Sequence, residues 1–441
     1  MRLSFRGGIH IAGHKETGKL PIEVMPAPGI VRISLAQHSG PPLKATVAPG
    51  DKICLGQIIG MSDWKFACPV HSSVSGRVSA IEKYYDPVKA AWAEAVIIEN
   101  DGLDTPDESI LRAQAQKREI ERLTTDEVIS ILKYAGVVGL GGAVFPAHIK
   151  IQNSLGKAKT LLINCAECEP YITVDHRAML EYPEKLLGGV DIIIRAMGIE
   201  RTMIAVEDNK ADAAAVLAGM TEGRADIEVK LLKTKYPQGD KGMIIYALSK
   251  TKVARSMRLA DLGYIIFNAS TCVAIYNACA EGMPLTQRVV TVTGDCIKNP
   301  KNVLARIGTP VADLIGFCGG LVKAPEKIIN GGPMMGNALW DTNYGLTKGM
   351  SALLALSGRD KKDELPACCI NCGRCVQHCP MRLMPNYLAR LGKAQNYDRC
   401  YEYNVNDCLE CGVCSYVCPG RVEIVQYIRQ AKNALYAAGK R

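Results

Sequence analysis

Two cysteine runs near the end of the chain constrain it more than any other feature. Cys369-Ile-Asn-Cys372-Gly-Arg-Cys375-Val-Gln-His-Cys379-Pro380 has the spacing C-x2-C-x2-C-x3-C-P, and Cys408-Leu-Glu-Cys411-Gly-Val-Cys414-Ser-Tyr-Val-Cys418-Pro419 repeats it. A cubane of iron and sulfide needs four thiolates, and three that lie close in sequence wrap three of its corners. In two-cluster ferredoxins the fourth thiolate of each run serves the other cluster. The spacing therefore predicts two [4Fe–4S] clusters, one on Cys369, Cys372, Cys375 and Cys418, the other on Cys408, Cys411, Cys414 and Cys379. Pro380 and Pro419 turn the chain so that each fourth ligand leaves its own loop. Structural zinc sites use paired C-x2-C knuckles without a third cysteine at the same spacing. Cys368 and Cys400 fall outside the pattern and read as non-ligands, buried as small apolar residues.

Composition narrows the remainder. Ten of the 18 cysteines fall between Cys368 and Cys418 in a chain of 441 residues, too long and too unevenly studded for an exported disulfide scaffold. The 48% hydrophobic and 22% charged content is globular and excludes disorder. The length suggests two to four domains. The best candidate for a membrane span, Leu262 to Met283, is broken by Asn268, Thr271 and Asn277, and Met1-Arg-Leu-Ser-Phe-Arg-Gly-Gly lacks the apolar core of a secretory signal. A soluble, non-exported chain is expected. The net charge of +9 is interleaved. A basic tail (Arg421, Arg429, Lys432, Lys440, Arg441) suits an acidic protein partner or anionic lipid, or simply a solvated face. No aromatic–basic motif points to nucleic acid.

The chain reads as an α+β multidomain protein. Residues 1–100 alternate apolar runs with Gly and Pro in short strands, as in Val47-Ala-Pro-Gly-Asp-Lys-Ile-Cys-Leu and Cys68-Pro-Val-His-Ser-Ser-Val, which predicts a small barrel or sandwich. A polar linker follows over 101–122. Over 123–285 the pattern is α/β. Thr124 caps an amphipathic helix with apolar positions Val128, Ile129, Leu132 and Tyr134, ended by Gly136. Apolar runs at Thr160-Leu-Leu-Ile and Asp191-Ile-Ile-Ile read as strands beside helical stretches such as Lys210 to Met220. Residues 286–346 return to short β segments, ending in Asn330-Gly-Gly-Pro-Met-Met-Gly. The cysteine-rich unit occupies 360–441, with helices near Pro385 to Leu391 and Val422 to Leu435.

Clusters carry one electron at a time and need a source or sink. Gly136-Val-Val-Gly139-Leu-Gly141-Gly142-Ala-Val-Phe145-Pro146-Ala-His-Ile-Lys150 is the candidate: glycines let backbone N–H groups approach a phosphate, and Lys150 neutralises an anion. The loop fits neither the Walker A nor the G-x-G-x-x-G pattern. Taken alone, it is equally a packing turn. Cys165-Ala-Glu-Cys168 has dithiol spacing but does not open a helix after a strand, so a redox dithiol is not expected. His148 and His176 read as surface or hydrogen-bonding residues.

Resemblance adds to this. Gly139 to Lys150 resembles the flavin loop of the NADH-oxidising, FMN-bearing subunit of respiratory complex I. Asn164-Cys-Ala-Glu167-Cys-Glu169-Pro-Tyr171 resembles the acidic segment that follows in that fold, and Tyr236-Pro-Gln-Gly239-Asp240 and Asn268-Ala-Ser-Thr271 match two further FMN-facing stretches. The segments Val47 to Ile59 and Cys68 to Val78 resemble those of a biotinyl/lipoyl-type barrel-sandwich hybrid, here over 1–100 and without an evident carrier lysine, and the interval between the cysteine runs resembles a helical ferredoxin. The whole order, barrel-sandwich, FMN domain, β-grasp (SLBB-type) ligand-binding domain and two clusters, resembles the RnfC family, the peripheral electron-input subunit of the Rnf complex.

That resemblance implies FMN held by Gly139, Gly141, Gly142, Lys150, Asn164, Glu167, Tyr236, Gly239 and Asn268. It also implies NAD(H) bound with Phe145 stacking on the nucleotide and Glu169 accepting from ribose hydroxyls, so that Phe145 and Glu167 stand closest to the chemistry. It further implies membrane-embedded and peripheral Rnf-type subunits as partners, ferredoxin as an indirect one, a place on the cytoplasmic face of the membrane, and ferredoxin:NAD+ oxidoreduction coupled to Na+ or H+ movement. Val144, Ala147 and Lys241 depart from the family pattern, and Val144 and Lys241 would hinder NADH. The alternatives are a soluble flavin/iron–sulfur reductase, such as a cobalamin reductase or the donor to an amino-acid reductase, and a relay subunit whose flavin site has decayed.

Overall fold

The computed structural model describes residues 3–116, 119–358 and 368–440. Its first unit is a β-sandwich. An antiparallel sheet runs in the order Ile30–Ser34, Ala91–Asn100, Gly76–Asp86, Lys52–Ile53, beside a small sheet of Lys44–Ala45, Ile58–Met61 and Val70–His71. Alternate residues Val31 and Ile33 pack inward with Val78, Val96 and Ile98. Not all strands are short, as their Gly and Pro punctuation suggested: Gly76–Asp86 and Ala91–Asn100 span 11 and 10 residues and form one long hairpin.

The second unit is a parallel four-stranded sheet in the order Ile227–Leu232, Arg201–Glu207, Thr160–Cys165, Tyr264–Asn268, with helices on its faces. Thr124 caps the helix Thr125–Tyr134 with a full capping box to Glu127, although Tyr134 points to solvent rather than into the core. The apolar run Asp191-Ile-Ile-Ile is not a strand. It lies in the 15-residue helix Pro183–Met197, which Pro183 opens and Gly198, at φ +61°, closes. A short apolar run has no readable period when a helix is buried on most of its surface, and only the distance between Pro and Gly marks its length. This helix packs on Ala269–Ala280.

The third unit is a six-stranded mixed sheet in the order Ile22–Val24, Lys301–Arg306, Gln287–Thr293, Ala352–Leu356, Lys327–Asn330, Asn337–Leu339, backed by the helix Val311–Phe317. It draws one strand from near the N-terminus and two, Asn337–Leu339 and Ala352–Leu356, from beyond the Gly-Gly-Pro-Met-Met-Gly loop. The N-terminal segment also reaches the parallel-sheet unit: Leu3 bridges to Leu232 and Ile9 to Tyr236. The last unit is helical (Arg374–His378, Pro385–Lys393, Tyr397–Glu402, Val413–Tyr416, Ile424–Ala437), with a core of Leu388, Cys400, Val405, Ile424 and Ile428. Among the described residues no helix is long and apolar enough to cross a membrane.

Candidate functional site

Parallel strands deliver their loops to one edge of a sheet, and the ligand-binding crevice of such sheets lies at the carboxyl ends. Asn164 and Asn268 sit side by side there, paired in register on adjacent strands. Asn164 is fixed at both ends of its amide: it donates to the Gly239 carbonyl at 2.9 Å and accepts from the Ala166 N–H at 3.0 Å. Asn268 accepts from the Thr271 N–H, capping the helix Ala269–Ala280, and donates to Asp175 at 2.5 Å.

The glycine loop closes over this edge as a hairpin, with the Gly139 N–H on the Phe145 carbonyl at 2.9 Å and the Leu140 N–H on the Thr271 hydroxyl at 2.9 Å. A Cβ on Gly141 would come within 3.4 Å of Asn268, and one on Gly239 within 2.4 Å of the Ala166 carbonyl. Gly142, at φ +95°, has open space in front of it. Phe145 is half-buried at the base of the hairpin.

Three cations of this region, Lys150, Lys348 and Arg288, have no ion pair to a carboxylate within 4 Å among the described residues, although Asp175 acts on Arg288 at longer range. Lys150 donates to the Ile266 carbonyl at 2.8 Å, and burial lowers its pKa to about 8. Lys348 is buried, donating to the Pro69 and Gly136 carbonyls at 2.9 and 2.7 Å. Buried Arg288 donates to the Lys348 carbonyl, and burial lowers its pKa to about 10. Buried charge without a counter-ion is costly, and burial lowers the pKa of Lys348 as well.

Glu167 is buried. Its Oε1 accepts from the Asp175 N–H at 2.9 Å, while its Oε2 has no hydrogen-bond partner among the described residues. Burial raises its pKa to about 7 against the opposing pull of Lys15. Lys15 is a hub that sequence reasoning missed: its ammonium donates to the carbonyls of Glu167, Glu169 and Ile172 and so shapes the whole acidic segment. Nothing in the run Gly13-His14-Lys15 signals that role. Glu169 is occupied differently from its neighbour. Its oxygens accept from the Met335 and Met334 N–H groups at 2.9 and 3.3 Å, latching the Gly-Gly-Pro-Met-Met-Gly loop to the parallel sheet.

The cysteine unit abuts this edge. Tyr236, almost wholly buried, donates its hydroxyl to the Cys411 carbonyl at 2.8 Å. The Gly8 N–H donates to the His378 carbonyl at 2.8 Å, and Gly7, at φ +78°, lies where a Cβ would stand 2.7 Å from the Cys379 carbonyl. Cys379, Cys408, Cys411 and Cys414 line one pocket with Leu383 and Ile428. Burial raises the Cys408 and Cys411 thiols to about 11 and 12, and the proximity of Cys379 pushes both, and Cys414, further the same way. Cys418 acts similarly on Cys375. Each fourth cysteine is thus beside the other run. No three His, Cys, Asp or Glu side chains among the described residues gather tightly enough for a single metal ion, and the thiols instead line a cage. Four sulfur donors in an apolar wall are the donor set a cubane requires, and metal capture must displace their protons.

Two expectations need correction here. Cys368 is exposed, not buried, because it precedes the first cluster loop at the surface; Cys400 is buried as expected. His148 is neither at the surface nor hydrogen-bonded: it is buried with both ring nitrogens unpartnered among the described residues, while His176 pairs with Asp212 at 2.9 Å. The Cys165 and Cys168 thiols are both raised by burial, which opposes dithiol reactivity as anticipated.

Fold and site together define a flavin-type α/β domain fused to a two-cluster ferredoxin unit, with barrel-sandwich and β-grasp modules on its flank. Residues 132–277 match the Nuo51 FMN-binding domain, 3–103 the RnfC barrel sandwich hybrid domain, 289–338 the SLBB domain and 361–419 the 4Fe-4S dicluster domain. The chain is 42% identical to a subunit of the proton-translocating ferredoxin:NAD(+) oxidoreductase complex of Clostridium ljungdahlii, over 100% of this chain and 96% of that protein. It is 38% identical to the Na(+)-translocating counterpart of Acetobacterium woodii, over 98% and 97%. An NAD+-reducing [NiFe]-hydrogenase structure shares the fold at TM-score 0.52 and 16% identity, over 76% of this chain and 64% of that one. The chain belongs to the RnfC family, whose members are subunits of ion-translocating ferredoxin:NAD(+) oxidoreductase complexes.

Two outcomes follow from the geometry. Val144 sits at φ +45° with its carbonyl held by the Ser39 N–H at 2.9 Å. A left-handed conformation costs an L-residue about 1–2 kcal/mol, whereas burying a valine side chain contributes about 1.5–3 kcal/mol. Val144→Gly should therefore remain within about 1 kcal/mol of the parent and be no less stable than Val144→Ala in urea unfolding; a glycine variant clearly less stable than the alanine one would contradict the strain.

Glu167 gives the second outcome. Because its folded-state pKa is raised, the stability it contributes is present below the unfolded carboxylate value and lost as pH rises through about 7. In flavin-free protein, Glu167→Gln should flatten the fall in unfolding free energy between about pH 4.5 and about pH 7; an unchanged slope would contradict the assignment.

Proposed function

We propose that this chain is the electron-input subunit of an ion-translocating ferredoxin:NAD+ oxidoreductase. In this reading it exchanges electrons with NAD(H) at an FMN and passes them through two [4Fe–4S] clusters to partner subunits. The observation that carries the reading is the 2.8 Å hydrogen bond from Tyr236 to the Cys411 carbonyl, a direct link between the flavin-type sheet edge and a cluster loop. A bound flavin would convert the two-electron chemistry of a nicotinamide to the one-electron chemistry of clusters.

The chain's own residues supply binding and orientation. Gly141 and Gly142 would give backbone donors close approach to the flavin, Gly139 closes the hairpin with its N–H on the Phe145 carbonyl, Asn164, Gly239 and Asn268 form the rigid floor, and Lys150 supplies charge with Lys348 and Arg288 behind it. Glu167, with one oxygen unengaged among the described residues, is the group that would hold or release a proton at the flavin. Phe145 offers the stacking surface for the nucleotide. Glu169 is assigned here to the ribose side of the NAD(H) site, and its hold on Met334 and Met335 keeps that wall in place. Cys379, Cys408, Cys411 and Cys414 would hold the cluster nearer the flavin, and Cys369, Cys372, Cys375 and Cys418 the farther one.

In this reading ion movement belongs to membrane-embedded partners and this subunit is peripheral, on the cytoplasmic face; that no helix among the described residues is long and apolar enough to span a bilayer is in keeping with it. The completeness of the cationic bed under the loop favours a working flavin site over a decayed one. Purified without oxygen, the protein should contain about one FMN and about eight iron atoms per chain, and NADH should bleach the flavin. Iron without flavin would leave the relay reading, and a flavin inert to NADH would contradict this one.

A further inference from the structure

The barrel-sandwich unit has no evident carrier lysine, yet one of its loops reaches the glycine hairpin of the parallel-sheet unit. Beyond the strand Ile30–Ser34 the chain runs through Gln37, His38 and Ser39. The Ser39 hydroxyl donates to the Ala143 carbonyl at 2.7 Å, and the Ser39 N–H donates to the Val144 carbonyl at 2.9 Å. One residue of the first unit thus grips two successive peptides at the tip of the hairpin.

The gripping loop is itself fixed. The buried Gln37 amide donates to the Ser34 carbonyl at 3.0 Å and accepts from the Lys348 N–H at 2.8 Å. Lys89, in the turn between Gly76–Asp86 and Ala91–Asn100, donates to the His38 carbonyl at 2.7 Å. Gly349 lies against the same tip, where a Cβ would stand 3.0 Å from Val144 Cγ1. The tip needs such support. Val144 is held at φ +45°, a conformation unfavourable for an L-residue, and Gly142 beside it, at φ +95°, faces open space. Released from Ser39, Val144 could relax to negative φ, and the peptides on either side of it would rotate.

The direction of those peptides matters. In a planar trans peptide the N–H points opposite to the carbonyl. Anchoring the Ala143 and Val144 carbonyls on Ser39 therefore turns the Val144 and Phe145 N–H groups away from it, and neither has an acceptor among the described residues. Two successive unoccupied N–H groups in a turn are donors for a ligand oxygen, and one of them belongs to the residue whose ring is assigned above to the nucleotide. We propose that Ser39 is a positioning residue for NAD(H), holding the hairpin tip so that the Phe145 ring and these two N–H groups meet the dinucleotide. The barrel-sandwich unit is then a clamp on the nucleotide site. This inference rests on the function proposed above. Asn164, Gly239 and Asn268 form the flavin floor without Ser39, so the effect of the clamp falls on the nucleotide and not on FMN.

The test uses the full chain, prepared anaerobically with FMN and both clusters. The oxidised holoprotein is titrated with NAD+, read at equilibrium from the flavin absorbance, and flavin reduction is followed by stopped flow across a range of NADH concentrations. Ser39→Ala should raise the Kd for NAD+ and the half-saturating NADH about three- to tenfold, the loss expected of one hydrogen bond. Its limiting rate should stay within about twofold of the parent, with FMN and iron content unchanged. Ser39→Thr keeps the hydroxyl and should restore NAD+ affinity to within about twofold of the parent. Parent-like NAD+ affinity in Ser39→Ala, or a threonine variant no better than the alanine one, would overturn the proposal. So would loss of FMN from Ser39→Ala with the nucleotide affinity of the flavin-loaded fraction unchanged. A parent that binds both FMN and NAD+ and is indifferent to Ser39 overturns the clamp alone; a parent that binds no nucleotide overturns the proposed function as well.

Discussion

The seam between the flavin-type sheet and the cysteine unit is the contact on which the molecule's chemistry depends. Electron tunnelling falls off steeply with distance, so two redox domains joined only by a linker would exchange electrons erratically. Here the joint is a packed core of Phe5, Ile9, Tyr236, Leu409, Cys411 and Val413, fastened by the Tyr236 hydroxyl on the Cys411 carbonyl. The N-terminal residues act as a wedge. Gly7 and Gly8 approach the Cys379 carbonyl and Tyr236 so closely that any side chain would force the units apart. The conformational freedom of glycine is here the condition for proximity.

Buried charge tells a second story about the same edge. Glu207 and Lys210 form a buried ion pair at 3.0 Å and need no outside partner. Lys150, Lys348 and Arg288 have carbonyl partners but no paired carboxylate among the described residues, and burial lowers the pKa of all three. Leaving such cations uncompensated destabilises a fold, and an anionic ligand at this edge, as proposed above, would offset that cost. The ammonium of Lys15 plays another part, holding three carbonyls of the acidic segment so that Glu167 and Glu169 diverge. Glu167 accepts from the Asp175 N–H, and Glu169 latches the Met334–Met335 turn.

Much of this was legible in the sequence, for identifiable reasons. Cluster ligation is local in sequence, so the cysteine spacing was enough to call a two-cluster unit, which the match to the 4Fe-4S dicluster domain supports. The capping box at Thr124 and the strand at Thr160 are also local and were readable. Features that depend on long-range contact were not. The helix Pro183–Met197 looked like a strand at Asp191 because burial on most sides erased its period. Lys15, Lys348 and Arg288 gain meaning only from neighbours distant in the chain. Cys368 and His148 show that burial of a single residue cannot be read from its type.

The central claim is that electrons reach the farther cluster only through the one against Tyr236. Freeze-quench EPR on NADH-treated holoprotein tests it most directly, using variants that each lack one cluster, with iron content checked. In Cys372→Ser, which removes the farther cluster, NADH should still reduce the remaining one. In Cys411→Ser, the remaining farther cluster should stay oxidised on the turnover timescale. Prompt reduction of the farther cluster in Cys411→Ser would contradict the account.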